Sequence, residues 1–540
     1  MRYLYFFPFL LFCCNAYAQV VFKGLDVNNA GNSNPLPGTV MNGKLYFSAT
    51  NASQGYELWV TDGKMTGTML VKNINTGSSG SNPAELTVLN GKLVFAAEGE
   101  GKGIELWQSD GTAAGTTILK DMYLGALASN PANLKAYNGK VYFNAFGDNG
   151  VGNELWETDG TTAGTKMLKD INPVGGSHCA EFFEFSGRLF FRATTDANGD
   201  EVWVTDGTDT GTKMLKDISP SSLGSYPNTF TVAGGKLFFI ATIPGLNGTK
   251  IFVTDGTTAG TISLSALAIG NKFVVAYNNE LFVNADGGLN KELWKTNGTL
   301  AGSVLVAEIT PGAVPTDLYW PIVYKNKLYF TLYSPGEGNE IWECDGTAAG
   351  TKLFKDLVSG PGGSNAHHFK IYKDKLYFLA EHAPGDTQLF ISDGTAAGTH
   401  VLLNPSATKS NALSATVFKG FTEYDGELYF GADYDATGAE LWSIRDTTTP
   451  ISVAQVNNLN DAVTIYPNPA HGTCNIIIDN LAFQSGDVTL FDVAGRVVYQ
   501  QSLVSGNKQT ILHLEQLPGG IYTLKGSVDG NSFYKKLVLQ

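Results

Sequence analysis

The segment Glu57-Leu58-Trp59 returns along the chain as Glu105-Leu106-Trp107, Glu154-Leu155-Trp156, Glu201-Val202-Trp203, Glu292-Leu293-Trp294, Glu340-Ile341-Trp342 and Glu440-Leu441-Trp442. Phe252 and Phe390 hold the tryptophan's place in two degenerate copies. The period is nearly constant, 48 residues from Trp59 to Trp107 and 49 from Trp107 to Trp156. A unit repeated at this period cannot bury its apolar surface alone and must stack on its neighbours. A turn follows almost every copy, as in Asp110-Gly111-Thr112 with Gly115-Thr116 behind it. It recurs from Asp62, Asp159, Asp206, Asp255, Asn297, Asp345 and Asp393.

Each unit reads as four strands. Leu86 to Leu89 leads into Asn90-Gly91 and then Lys92 to Ala97. Asn-Gly between apolar runs is the strongest short hairpin signal, because both turn residues need positive φ. The Glu-Leu-Trp segment is the third strand, and Thr117 to Asp121 follows the Asp-Gly-Thr turn as the fourth. Strands such as Leu45-Tyr46-Phe47, Leu189-Phe190-Phe191 and Leu376-Tyr377-Phe378 are apolar at adjacent positions, so both faces are buried. Radially stacked blades cover both faces of short antiparallel sheets. The expectation is an all-β fold, a β-propeller of about nine four-stranded blades. Eight is the alternative count, since the unit around Phe252 is shortened. An open β-solenoid is the runner-up and would need capping units at both ends. Val20 to Asp26 resembles a fourth strand such as Leu70 to Ile74, whereas the last unit supplies only three, at Val417 to Tyr424, Glu427 to Ala432 and Glu440 to Ser443. The N-terminal strand is therefore expected to complete the ninth blade.

These motifs resemble the ELWxxDGT repeat of bacterial secreted proteins, over residues 20 to 446. The resemblance implies a propeller-like fold and no particular ligand. From about Val463 the repeat is gone. Tyr466-Pro467-Asn468-Pro469, Val488-Thr489-Leu490-Phe491-Asp492, Gly495-Arg496, Leu517-Pro518-Gly519-Gly520-Ile521-Tyr522 and Lys535-Lys536-Leu537-Val538 mark short strands with turns between them. They read as a small β-sandwich. This segment resembles the type A C-terminal sorting domain of type IX secretion substrates, and that resemblance implies passage across an outer membrane with the secretion machinery as partner. A carbohydrate-binding or adhesive sandwich is the alternative.

Arg2, the apolar run from Tyr3 to Cys14 and Ala16-Tyr17-Ala18 compose a secretory leader, with Gln19 as the first mature residue. A lipoprotein reading through Cys13 or Cys14 is weaker, because bulky Phe12 or Cys13 would precede the modified residue. The run is short of the roughly 20 residues that a membrane span needs. The expected organisation is a leader at 1–18, repeats at 19–446, a linker at 447–462 and the sorting domain at 463–540. Cys179, Cys344 and Cys474 then remain, an odd and scattered set that suits small buried side chains. The net charge of −14 disfavours nucleic acid as a partner.

A residue used once per blade is best explained by packing. The repeated Trp is expected to fill the wedge between sheets and offer its N–H to a neighbour. Each Asp of the Asp-Gly-Thr turn is expected to bond its own backbone. No DxDxDG run supplies the six to eight oxygens that calcium takes, and no metal or cofactor is expected. The histidines (His178, His367, His368, His382, His400, His471 and His513) sit in no catalytic frame. The adjacent His367 and His368 are expected to face opposite sides of a strand. One position varies from unit to unit. Before each inner strand stand Asn34-Pro35, Asn82-Pro83, Asn130-Pro131, His178-Cys179, Tyr226-Pro227, Trp320-Pro321 and Asn365-Ala366. Asn34, Asn82, Asn130, His178, Tyr226, Trp320 and Asn365 are therefore candidate ligand residues at a channel rim; the plainer reading is turn chemistry. An exported binding or scaffold protein, not an enzyme, is expected, with an exported hydrolase such as a glycosidase as the alternative.

Overall fold

The computed structural model describes residues 20–447 and 463–540, apart from 29–30, 52, 149, 151, 246–247, 288–290, 310–316, 479–485, 493–495, 504–508 and 529–530. The expected leader and nearly all of the expected linker lie outside the described residues. Val20–Asp446 forms one compact unit, and a second contains Thr447–Gln540.

The first unit consists of antiparallel sheets in chain order, all but one of them four-stranded. We number them I (39–72), II (84–120), III (132–169), IV (180–216), V (228–307), VI (318–355), VII (367–402) and VIII (422–446 with 20–25). Asn-Gly and related turns adopt the left-handed backbone that the hairpin requires, with Asn90 at φ 51° and Gly91 at φ 76°. Second strands are buried on both faces, as in Leu45, Tyr46 and Phe47, because a neighbouring sheet covers each side. Every pair of successive sheets shares an apolar cluster. Met41, Leu58 and Val60 of sheet I meet Phe95 and Trp107 of sheet II. Leu106 and Leu119 of sheet II meet Phe143 and Trp156 of sheet III. Tyr377 and Leu389 of sheet VII meet Phe430 and Trp442 of sheet VIII. First strands of successive sheets approach one another, which puts them on the inside of the stack.

Sheet VIII is closed by the N-terminal strand. Val20–Leu25 pairs antiparallel with Glu440–Asp446, with Val20 opposite Asp446 and Gly24 opposite Trp442. The joint between sheets VIII and I repeats the devices of the other joints. A tyrosine at the end of the inner strand donates to a carbonyl of the next hairpin turn: Tyr137 to Gly187 at 2.6 Å, Tyr277 to Asn326 at 2.6 Å and Tyr324 to Asp374 at 2.6 Å. Tyr424 does the same to Gly43 at 2.8 Å across the closing joint. Fourth-strand lysines reach the next outer turn, Lys72 to Thr116 O and Lys120 to Thr165 O, and Lys23 likewise binds Gly63 O. Leu25 and Leu441 pack with Leu45, Phe47 and Trp59 in one cluster. The stack is thus a closed β-propeller ring without terminal caps.

Sheet V departs from the expectation of separate four-stranded units. It has seven strands, because Ile262–Tyr277 is both the last strand of one motif copy and the first of the next. In this copy Lys250 stands where seven other copies carry Glu, and the strand runs on with no return loop between the two motif copies.

In the second unit the described strands join in one seven-stranded arrangement. Val463–His471 pairs with Thr473–Ile478 over its first half and meets the C-terminal strand, Asn531–Leu539, at Ala470 and Leu539. Leu512 and Ile476 from one side share a single core with Leu490, Leu524, Phe533 and Leu537 from the other.

Candidate functional site

The repeated glutamates are fully buried and organise the loops between sheets. Glu105 accepts from the backbone N–H of Met122 at 2.9 Å, from that of Ser129 at 2.9 Å and from the Ser129 hydroxyl at 2.6 Å. Glu57 holds Ile74, Asn75 and Ser81 in the same way. Glu440 holds Val27 at 2.7 Å and both Ser33 donors across the closing joint. These carboxylates accept from neutral donors, and burial raises the carboxyls of Glu57, Glu105, Glu154, Glu201 and Glu340 above the ordinary range. Burial lifts Glu440 to about 7, with the Asp26 charge adding to the rise. The serine partner is legible in Ser33-Asn34, Ser81-Asn82, Ser129-Asn130, Ser225-Tyr226 and Ser364-Asn365, one residue before the variable position.

The tryptophans fill the wedges but do not donate as expected. The indole N–H groups of Trp59, Trp107, Trp156, Trp203, Trp294, Trp342 and Trp442 are buried without a hydrogen-bond acceptor among the described residues. The third strand is paired on both sides, so its neighbours' carbonyls are already engaged. The indole is held by close packing instead: a Cβ on Gly99 would stand 2.8 Å from Trp107. The aspartates do bond their own turns, Asp110 to the N–H and hydroxyl of Thr112 at 2.8 Å each, and Asp345 and Asp393 likewise.

Asn34, Asn82, Asn130, His178, Tyr226 and Asn365 share one geometry. Each follows the buried serine, stands seven residues before the end of the inner strand, and has φ between 44° and 52°. Their N–H groups reach back to the preceding sheet, as Asn82 to Tyr56 O at 3.0 Å and Tyr226 to Asp200 O at 3.2 Å. Asn tolerates the left-handed region, which accounts for its recurrence. His178 and Tyr226 are exposed there, and among the described residues no ring contact joins them to each other or to Trp320.

Trp320 does not belong to that row. It lies within the strand Leu318–Tyr324, four residues before its end, at a β-bulge. Its equivalents are Glu85, Asn133, Glu181, Thr229 and His368, all with φ from 53° to 60°. Pro321 imitated the Asn-Pro signature and shifted the alignment by three residues. The same bulge overturns the expectation for the histidine pair. Because His368 has φ 53°, the alternation of the strand breaks, and both rings turn towards Trp320. The Trp320 ring lies 4.5 Å from His368 and 6.0 Å from His367. His368 meets Phe418 edge-on at 5.1 Å, and Phe418 meets Phe421 at 4.8 Å. Around this cluster opens a cleft of about 350 Å³, lined by Trp320, Pro321, His368, Phe369, Lys370 and Phe421 together with Gly420. Lys370 pairs with Glu423 at 3.0 Å. Burial lowers the pKa of His368, and His367 nearby adds to the effect.

Residues 464–540 match the family described as the secretion system C-terminal sorting domain. The chain therefore carries a signal for secretion to the cell surface or the extracellular space. No curated protein matches the chain. Among solved structures, a puromycin hydrolase is 12% identical, over 67% of this chain and 60% of its own, with a TM-score of 0.35. The β-propeller domain of the Trilobed protease from Pyrococcus furiosus is 13% identical, over 68% of this chain and 97% of its own, at 0.34. An oligogalacturonate lyase from Vibrio parahaemolyticus is 10% identical, over 59% and 92%, at 0.34. The chain spans less than two thirds of the puromycin hydrolase it matches, and likenesses this slight carry no argument about activity. Among the described residues no helix is long and apolar enough to cross a membrane.

Proposed function

We propose that this is a secreted or surface-displayed binding protein of the ELWxxDGT type. Its ring acts as a rigid nine-bladed platform, sheet V counting as two blades, and binds an extracellular ligand rather than catalysing a reaction. In this reading the mature chain begins at Gln19, the ring ends at 446, a linker runs from 447 to 462, and the domain from 463 engages the type IX machinery.

The observation that carries the binding role is the aromatic cleft at Trp320. Trp320 is 45% exposed, whereas Trp59, Trp107, Trp156, Trp203 and Trp442 are 6% to 8% exposed. A bulky aromatic in left-handed backbone is uncommon, and such strained residues cluster at functional sites; unlike exposed Tyr226, Trp320 opens onto a cleft. The reading against catalysis rests on where the carboxylates go: the repeated glutamates are occupied by loop N–H groups and serine hydroxyls. His178, Tyr226, Asn34, Asn82, Asn130 and Asn365 form a secondary rim in this proposal. Immobilised mature chain probed with defined glycan and peptide panels tests it. Ligand capture that Trp320→Ala abolishes, with the melting temperature kept, is the expected result. Turnover of a captured ligand would favour the hydrolase alternative.

A further inference from the structure

We propose that the cleft at Trp320 takes a neutral pyranose of a polysaccharide. One face of the sugar would lie on the indole, and two neighbouring hydroxyls would meet the Lys370–Glu423 ion pair. This rests on the binding role argued above and adds the class of ligand.

Three observations converge. The first is the floor. At the bulge position other sheets carry Glu85, Asn133, Glu181 and Thr229, but sheets VI and VII carry Trp320 and His368. Both are bulky residues in left-handed backbone, a rare combination that clusters at functional sites. Their rings meet at 4.5 Å, tilted by 33°, and Phe418 buttresses His368 edge-on. An exposed indole braced in this way is a flat apolar plate, suited to the C–H face of a sugar ring. The second is charge. Lys370, the cation lining the cleft, is matched by Glu423 at 3.0 Å. The imidazole of His368 is held towards its neutral form by burial and by His367. A balanced cleft gives an ionic ligand no net attraction, so a neutral one is favoured. The third is the edge. An ammonium beside a carboxylate offers a donor and an acceptor side by side, the complement of a vicinal diol, in which each hydroxyl can donate and accept. The volume of about 350 Å³ lies near the lower end of small-ligand sites and suits one or two rings.

Trp320 is its own reporter, because the motif tryptophans lie between sheets. Full-length mature protein is titrated with glucose, mannose and galactose oligosaccharides, with uronic-acid oligosaccharides, and with a defined peptide panel, while tryptophan emission is followed. A saturable emission change with a neutral oligosaccharide is expected. It should vanish in Trp320→Ala, persist weakened in Trp320→Phe, and weaken at least tenfold in Lys370→Ala and Glu423→Ala. Melting curves confirm that each variant folds. Tighter binding of uronic-acid sugars than of neutral ones would overturn the neutral assignment. Trp320-dependent binding of a peptide with no sugar response would overturn the sugar and leave the binding role standing. No Trp320-dependent response to any probe would remove both.

Discussion

Two residues per repeat do most of the structural work, and each makes a measurable demand. Trp107 bridges sheets I and II without a hydrogen bond, so its contribution is packing alone. Trp107→Ala should cost roughly 3–5 kcal/mol in urea unfolding, as large core truncations do. A variant with an unchanged midpoint would contradict that role. Glu440 makes the second demand. Its carboxyl rises from 4.5 when exposed to about 7 in the fold. Between those values the folded chain holds a proton that the unfolded chain releases. The contribution is thus complete below about pH 4.5 and is lost as pH climbs through 7, roughly 3 kcal/mol at 1.4 kcal/mol per unit. Melting temperatures measured from pH 5 to 8 should fall, and Glu440→Gln should flatten the slope. An identical slope in the variant would show that the titration lies elsewhere.

At the scale of elements, the strands and hairpins were legible because Asn-Gly turns and doubly apolar strands are local signals. The bulge was not. An extra residue in the inner strand leaves no compositional trace when Glu, Asn, Thr, Trp and His all occupy it, and counting from Pro321 misplaced Trp320. The merged strand of sheet V had only a partial signal: Lys250 replaces the glutamate there, but Gln388 replaces it in sheet VII without merging that sheet with the next. The turn row yields a test of its own. If His178 and Tyr226 serve only the turn, His178→Asn and Tyr226→Asn relieve left-handed strain and should each stabilise the ring by about 0.5–1 kcal/mol. Stabilisation with loss of ligand capture would assign them to the rim; destabilisation would mean that the two rings support their loops.

For the whole molecule the governing feature is the joint between sheets VIII and I. Removal of residues 20–25 strips the outer strand from sheet VIII and the donors of Val27 and Ser33 from their anchored path to Glu440. The exposed edge of Glu440–Asp446 would then invite pairing with other chains. A large drop in melting temperature with dimers or aggregates on gel filtration is expected; a stable monomer would show that the strand is dispensable. The register of that joint carries one more consequence. Val20 stands opposite Asp446, so the two ends of the ring are neighbours on adjacent strands. Since the closing joint uses the same tyrosine, lysine and glutamate devices as the rest, the ring has no physically privileged beginning. A circular permutant that joins 446 to 20 through a short glycine linker, and opens instead at the exposed loop around Ser78, keeps every pairing within the sheets. It should fold to a ring of the same thermal stability within a few degrees, because order along the chain matters less here than order around the circle.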